Sequence, residues 1–136
     1  MEPPPILDTN VLLRHLRQDH PDHAPRATAF FLRVERGEIR VRIPATVVFE
    51  TVVTLESFYG QSRSAIRDVM LSIVDLDAVV LPGKRHFMRV FDLYVETQLS
   101  FADASHAVLA ERFGGGTIVS FDRHYDRIPG LRRVEL

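Results

Sequence analysis

The chain has 136 residues, 46 % of them hydrophobic and 26 % charged, which are the proportions of a globular domain with a substantial core. The absence of cysteine excludes disulfides, thiolate metal sites and cysteine nucleophiles, and the net charge of -1 gives no overall basic field for nucleic acid. No apolar run reaches the ~18 residues of a membrane span, and the acidic, proline-rich start differs from a signal peptide. We therefore expect a cytoplasmic protein that does not bind membranes.

The predicted elements begin with a short strand. Pro3 to Pro5 cannot continue a helix, so Ile6-Leu7 predicts a buried strand that ends at Asp8, and the apolar spacing after Asn10 predicts a helix. Further helices are predicted around residues 27–36, 45–59, 62–74, 84–98 and 100–113, with strands at 39–43, 78–81, 117–120 and 132–136 and a helical turn at 123–127. This alternation predicts one α/β domain over residues 1–136, with a parallel sheet covered on both faces.

Four acids are notable for where they occur along these elements. Asp8 and Asp122 each follow a predicted strand, and either could simply cap the helical segment after it. Asp103 stands three residues after Ser100, which is the spacing of a capping box. Glu50 could be a solvated helix residue, but its apolar neighbours would make an ionised carboxylate costly unless it is paired or binds a cation.

The predicted topology favours a shared site for these acids. Right-handed crossovers bring the ends of parallel strands, and the first turns of the helices that follow them, to one edge of the sheet. Asp8 and Asp122 share that edge if the first and fourth strands are neighbours, and Glu50 and Asp103 can reach it from helices. Carboxylates gathered in this way repel each other, and oxygen ligands favour Mg²⁺ or Mn²⁺ over zinc. Such a site can activate water and neutralise charge on a phosphodiester.

The order of four sequence segments indicates a family. They are Ile6-Leu7-Asp8-Thr9-Asn10, Glu50 in the helix after Ile43-Pro44, Phe101-Ala102-Asp103-Ala104, and Ser120-Phe121-Asp122-Arg123-His124-Tyr125. In these segments the chain resembles PIN-domain nucleases, and more narrowly the toxins of VapBC-type toxin-antitoxin pairs. The resemblance implies that Asp8, Glu50, Asp103 and Asp122 are the catalytic, metal-binding acids. It also implies supporting roles for Thr9, Asn10 and Ser120.

The same resemblance implies a three-layer α/β/α sandwich with a five-stranded parallel sheet. The protein is expected to be an Mg²⁺- or Mn²⁺-dependent endoribonuclease that leaves 3′-hydroxyl and 5′-phosphate ends on the RNA. It is also expected to form homodimers and to be inhibited by a cognate antitoxin. Ser120 and Tyr125 stand where many relatives have threonine and phenylalanine. The alternative is a catalytically silent PIN-like module that binds RNA or protein.

The remaining candidates are basic residues and surfaces. Arg14, Lys84, Arg85, Arg123 and His124 are candidates for RNA phosphate contacts, with ordinary surface charge as the alternative. Whether Asp126 joins the acidic cluster is left open by the sequence. The apolar helices at residues 45–59 and 64–74 are where we expect dimer or partner contacts.

Overall fold

The computed structural model describes residues 2–136, and this part of the chain contains six helices, four short strands and one 3₁₀ turn. The helices are α1 (Thr9–Arg17), α2 (His23–Glu35), α3 (Ala45–Ser57), α4 (Arg63–Val74), α5 (Lys84–Thr97) and α6 (Phe101–Phe113). The strands are β1 (Val41–Arg42), β2 (Val79–Val80), β3 (Thr117–Val119) and β4 (Arg132–Val134), and the 3₁₀ turn is Arg123–Arg127. The predicted alternation of helices and strands is confirmed. No helix within residues 2–136 is long and apolar enough to cross a membrane.

The chain forms two compact units, and the division falls between Lys84 and Arg85. The first unit contains α1 to α4 with β1 and β2. The second contains α5 from Arg85 onward, α6, β3, β4 and the 3₁₀ turn. The composition predicts that the whole chain forms one domain, and this statement stays a prediction.

Parallel pairing in the first unit is centred on β1. This strand pairs in parallel with β2, and Ile6 forms a parallel bridge with Arg42. The Arg42 N–H donates to the carbonyl of Pro5 at 2.8 Å, and the Arg42 carbonyl accepts from the Leu7 N–H at 2.9 Å. The predicted first strand is therefore present only as a bridge, because Pro5 has no N–H to donate and the chain turns into α1 directly after Asp8.

The two faces of the third helix, α3, differ in their burial. Val48, Val52 and Leu55 lie in the core, but Val53 and Phe58 are 53 % and 79 % exposed. One face of the helix therefore packs in the core, while apolar side chains on its outer face and at its C-terminal end are exposed to solvent. The apolar residues are numerous enough to cover both sides of the helix, so periodicity alone could not identify the solvent-facing side.

In the second unit, β3 pairs in parallel with β4. The α6 helix ends at Phe113, and Gly115 and Gly116 adopt φ angles of 62° and 78°, a left-handed conformation that turns the chain into β3. The core of this unit is aromatic, with the ring of Phe101 lying 4.8 Å from that of Phe91 and 5.5 Å from that of Tyr94. Across residues 2–136 the strands pair as two two-stranded sheets, and the five-stranded sheet that the resemblance implied stays a prediction. The strands are only two or three residues long, because turns and helices follow them closely.

Candidate functional site

Asp8 lies at the point where the segment paired with β1 turns into α1. Its Oδ1 accepts a hydrogen bond from the Thr9 backbone N–H at 2.8 Å, so Asp8 does cap the helix. The side chain is exposed, and the cap uses only one of its two carboxylate oxygens. Thr9 is buried and contributes this backbone donor. The capping role therefore leaves Asp8 able to bind a further ligand.

Asp8 also lines a cavity of about 550 Å³ in the first unit. Asn10 and Arg14, the other candidates on α1, line the same cavity. The first unit thus gathers one carboxylate, one amide and one guanidinium around a space of the size that binds small ligands.

Glu50 lies on the exposed face of α3. The argument that apolar neighbours would desolvate its carboxylate is wrong, because Val47 and Val48 face the core while Glu50 faces solvent. The Glu50 carbonyl accepts from the hydroxyl of Thr54 at 2.8 Å, a contact within the helix that does not involve the carboxylate. A role for Glu50 in catalysis therefore stays a prediction.

In the second unit, Asp103 and Asp122 share one neighbour, the imidazole of His124. The His124 Nε2 atom lies 3.3 Å from Oδ2 of Asp103 and 3.9 Å from Oδ2 of Asp122. That nitrogen is buried and makes no hydrogen bond to the described residues, so its attraction to the two carboxylates is that of an ion pair when the ring is protonated. His106, one turn along α6, brings its Nδ1 to 3.7 Å from Oδ1 of Asp103. His124 therefore lies next to both carboxylates, and His106 lies next to that of Asp103.

The hydroxyl of Tyr125 gives Asp103 a directed hydrogen bond. It donates to Oδ1 of Asp103 at 3.1 Å, and the tyrosine is only 3 % exposed. Burial raises the pKa of Tyr125 above its usual value of 10.0, and the negative charge of Asp103 together with this hydrogen bond raises it further. The phenol therefore remains a protonated donor at physiological pH.

Ser120 holds the backbone on which Asp122 stands. Its hydroxyl accepts from the Asp122 N–H at 3.0 Å, and its own N–H donates to the Val134 carbonyl at 3.0 Å. The hydroxyl of Ser100 likewise accepts from the Asp103 N–H at 3.1 Å, which confirms this half of the predicted capping box. At both Asp103 and Asp122 a serine hydroxyl holds the backbone N–H, and the carboxylate is left for other contacts.

Arg133, on β4, binds the end of β3 and the 3₁₀ turn. Its Nη1 donates to the Ser120 carbonyl at 3.0 Å, while Nε and Nη2 donate to the two carboxylate oxygens of Asp126 at 3.0 and 3.3 Å. This bidentate pair holds the pKa of Asp126 below its usual value. Arg133 is thus the partner of the Asp126 carboxylate.

The sequence pattern of the PIN domain family matches residues 6–131. The chain belongs to the PIN domain family. It is also similar to a VapC ribonuclease of Aquifex aeolicus (strain VF5), with 27 % identity over 129 residues that cover 95 % of this chain and 94 % of the relative. The family resemblance found in the sequence is confirmed.

The basic residues expected to contact RNA have different surroundings in this PIN domain. The Nζ atom of Lys84 donates to the Leu76 carbonyl at 2.8 Å, which ties the start of α5 to the loop after α4. Arg85 and Arg123 are exposed, and His124 faces the carboxylates described above. Lys84 and His124 therefore have structural partners of their own, whereas the exposed arginines are available to a ligand.

The four candidate acids of this PIN domain are divided between the two compact units. Asp8 and Glu50 belong to the first unit, whereas Asp103 and Asp122 belong to the second and meet at His124. Among residues 2–136, no three histidine, aspartate or glutamate side chains are grouped as a metal site. Of the four acids predicted to form one cluster, Asp103 and Asp122 are the two that share a neighbouring side chain, His124.

Three contributors to the site were not identified from the sequence. They are His106, the hydroxyl of Tyr125 and Arg133. His106 follows Asp103 by three residues, a helical spacing that could have identified it. Tyr125 was noted only as a departure from phenylalanine, and nothing in the sequence marked Arg133.

Proposed function

We propose that the chain is a metal-dependent endoribonuclease and the toxin component of a toxin-antitoxin pair. The observation that carries this proposal is the pairing of the Asp103 and Asp122 carboxylates around one imidazole in a PIN domain. The similarity to a VapC ribonuclease over nearly the whole of both chains supports it further. A catalytically silent binding module would have no need for two carboxylates held next to each other, because their repulsion is costly.

The residues present suit a hard divalent cation. Asp103 and Asp122 offer oxygen donors, and each has its backbone held by a serine hydroxyl. We propose that these two acids, together with Asp8 and Glu50, hold Mg²⁺ or Mn²⁺. When bound, the cation would activate water and neutralise charge on the RNA phosphodiester. Support for the four-residue set comes from their order in the PIN segments.

In this proposal the chain's own groups orient the acids. Tyr125 fixes the rotamer of Asp103, and Ser120 fixes the backbone of Asp122. Thr9 directs one oxygen of Asp8, and Asn10 adds a polar group beside it on the cavity wall. Hydrolysis would leave 3′-hydroxyl and 5′-phosphate ends on the RNA.

RNA cleavage tests the proposal. A single-stranded RNA is incubated with Mn²⁺ or with EDTA, using the wild type, Asp103→Asn and Asp122→Asn, and the ends of the products are identified. We expect cleavage only with the cation and a loss of roughly 100-fold or more in each variant, because the amide cannot replace a charged ligand. Asp92→Asn, at an exposed position of α5, is the matched control and should cleave like the wild type. Cleavage that survives both EDTA and Asp103→Asn would overturn the metal mechanism.

The same assay tests the other two acids. Asp8→Asn and Glu50→Gln should each lose activity if the four carboxylates serve one reaction. Glu50→Gln is the more informative variant, because the glutamate is exposed and its loss should not disturb the core. Full activity in Glu50→Gln would remove this residue from the catalytic set.

We further propose a homodimer that acts in the cytoplasm and is inhibited by an antitoxin protein. The exposed Val53 and Phe58 side chains on α3 support a protein contact on this helix. Sedimentation of the wild type and of Phe58→Ser tests the dimer, and a wild type that sediments as a monomer at micromolar concentration would contradict it. Inhibition of cleavage by a co-expressed antitoxin tests the partner.

The single domain and the five-stranded parallel sheet of a three-layer sandwich also belong to this proposal. Their support is the PIN pattern, which extends from residue 6 to residue 131 and so includes parts of both compact units. One cooperative thermal transition, followed both by circular dichroism and by calorimetry, is the result expected for one domain. Two separate transitions would contradict it.

A further inference from the structure

The cavity lined by Asp8 in the first unit has walls of two chemical kinds. One part is apolar and the other is basic. The apolar lining includes Ile6, Val11, Ala27 and Phe30, and the basic lining includes Arg14, His23 and Arg26. A flat apolar group joined to an anion would match both parts at once.

On this lining, the Nε atom of Arg14 lacks an acceptor. This nitrogen is buried and makes no hydrogen bond to any residue within 2–136. Arg26 and His23 differ in this respect, because they lie 3.3 and 3.8 Å from the carboxylate of Asp22. A buried, unsatisfied N–H on a charged group is costly, and an anion bound by this guanidinium would offset part of that cost.

Phe30 supplies the aromatic part of the lining. It lies on α2 and is partly buried, and its ring meets that of Phe31 edge to face at 5.4 Å. Proteins that bind single-stranded RNA commonly stack unpaired bases on aromatic rings and hold the adjoining phosphates with basic side chains. The cavity volume of about 550 Å³ is within the range of small-ligand sites.

We propose that this cavity is a nucleotide subsite for the RNA substrate, in which a base packs against Phe30 and a phosphate binds Arg14. The inference rests on the proposed nuclease function, because Asp8 lies on the same lining and would place the bound nucleotide next to the reacting phosphodiester. The combination favours RNA over a protein segment, since every nucleotide carries both a flat base and a phosphate. Every base has a π-face, so this subsite adds affinity without reading sequence.

A binding assay without a metal separates this subsite from the chemistry. The probe is a fluorescent 2′-O-methyl RNA octamer, which resists cleavage, and its dissociation constant is measured by anisotropy in EDTA over a range of salt concentrations. Arg14→Gln should bind more weakly, and the slope of log Kd against log salt should fall by about 0.7 for one lost phosphate contact. Phe30→Leu should weaken binding roughly 5- to 100-fold at an unchanged salt slope, because it loses a stacking surface but no charge.

Matched controls make these changes specific. Arg36→Gln removes the same charge at the exposed end of α2, outside the cavity lining, and Phe113→Leu removes an exposed ring from the end of α6. Both should bind the octamer as the wild type does. Phe30→Tyr keeps the aromatic face and should retain binding. Melting temperatures of all variants show which of them are folded. If Phe30→Leu does not fold, Arg14→Gln and Phe30→Tyr still test the subsite.

Each outcome supports or overturns the subsite independently of the proposed nuclease function. Wild-type cleavage with Mn²⁺ combined with unchanged octamer binding by Arg14→Gln and Phe30→Leu would overturn the subsite and leave the nuclease intact. Weaker binding in both variants would support the subsite even if the wild type cuts no RNA. If the variants bind RNA normally but lose inhibition by a co-expressed antitoxin, the cavity belongs to a protein partner and the proposal is wrong.

Discussion

The hydrogen bond from Tyr125 to Asp103 gives the sharpest test of how the acids are positioned. Tyr125→Phe removes one oxygen atom and leaves a ring that fits the same buried space. It deprives Asp103 of a donor at 3.1 Å while leaving the ion-pair contact with His124 at 3.3 Å. Phenylalanine is also the residue that the family resemblance led us to expect at this position. The variant therefore isolates the hydroxyl.

The size of the effect follows from the kind of bond that is lost. A hydrogen bond to a charged group contributes about 1.5–3 kcal/mol, but Asp103 is only partly buried and water can replace part of it, so we expect a loss of about 1–2 kcal/mol. For a chain of this length that loss lowers the melting temperature by about 3–8 °C. A less firmly held carboxylate should also reduce kcat, by up to roughly 100-fold if the acid shifts by about 1 Å.

Thermal denaturation and RNA cleavage with Mn²⁺ measure the two effects separately. Tyr59→Phe is the matched control, because the recorded contacts of Tyr59 with Phe58 and Arg17 use the ring and survive the change. This control should melt and cleave as the wild type does. If Tyr125→Phe has the same melting temperature and kcat as the wild type, the hydroxyl neither stabilises the fold nor positions Asp103.

Two further predictions concern buried and paired groups elsewhere in the chain. Burial lowers the pKa of His15 from its usual value of 6.5. The neutral ring contacts the Thr28 hydroxyl at 3.0 Å, so it contributes its full stabilisation of the fold above pH 6.5, and this stabilisation is lost as the pH falls below that value. The melting temperature should therefore decrease as the pH falls below 6.5, and it should decrease less in His15→Gln. Equal slopes of melting temperature against pH in the two proteins would contradict this assignment. Arg133→Met and Asp126→Asn should each lower kcat by up to roughly 100-fold by loosening the end of β3. The double variant should match the single ones, and additive losses would show that the two side chains act independently.

Most of the helical architecture could be predicted from local sequence. The spacing of Ser100 and Asp103 indicated a cap, and the Ser100 hydroxyl accepts the Asp103 backbone N–H. The end of α6 is equally local, because Gly115 and Gly116 adopt the left-handed conformation directly after it. Strand length was less predictable. It depends on pairing between distant segments, as in the single bridge between Ile6 and Arg42.

The candidate site was predictable in its acids but not in their supports. Asp103 and Asp122 could be identified because they stand at the ends of periodic segments. The hydroxyl of Tyr125 reaches Asp103 from 22 positions away, and Arg133 reaches Ser120 from 13 positions away. No periodic pattern encodes contacts between elements at such distances. The argument for desolvation of Glu50 fails because sequence neighbours alone do not show which face of the helix is exposed, and Glu50 lies on the exposed face.

Capping and ligand binding do not compete in Asp103 and Asp122, although the sequence presented them as alternatives. Asp103 and Asp122 use their backbone N–H groups to satisfy Ser100 and Ser120, so their carboxylates are left for other partners. Asp8 differs because its cap uses a carboxylate oxygen. Asparagine retains a carbonyl oxygen that can accept the Thr9 N–H, so Asp8→Asn should keep the cap while losing the charge. An activity loss in all three asparagine variants, without a matching loss of stability, would therefore report on charge and not on folding.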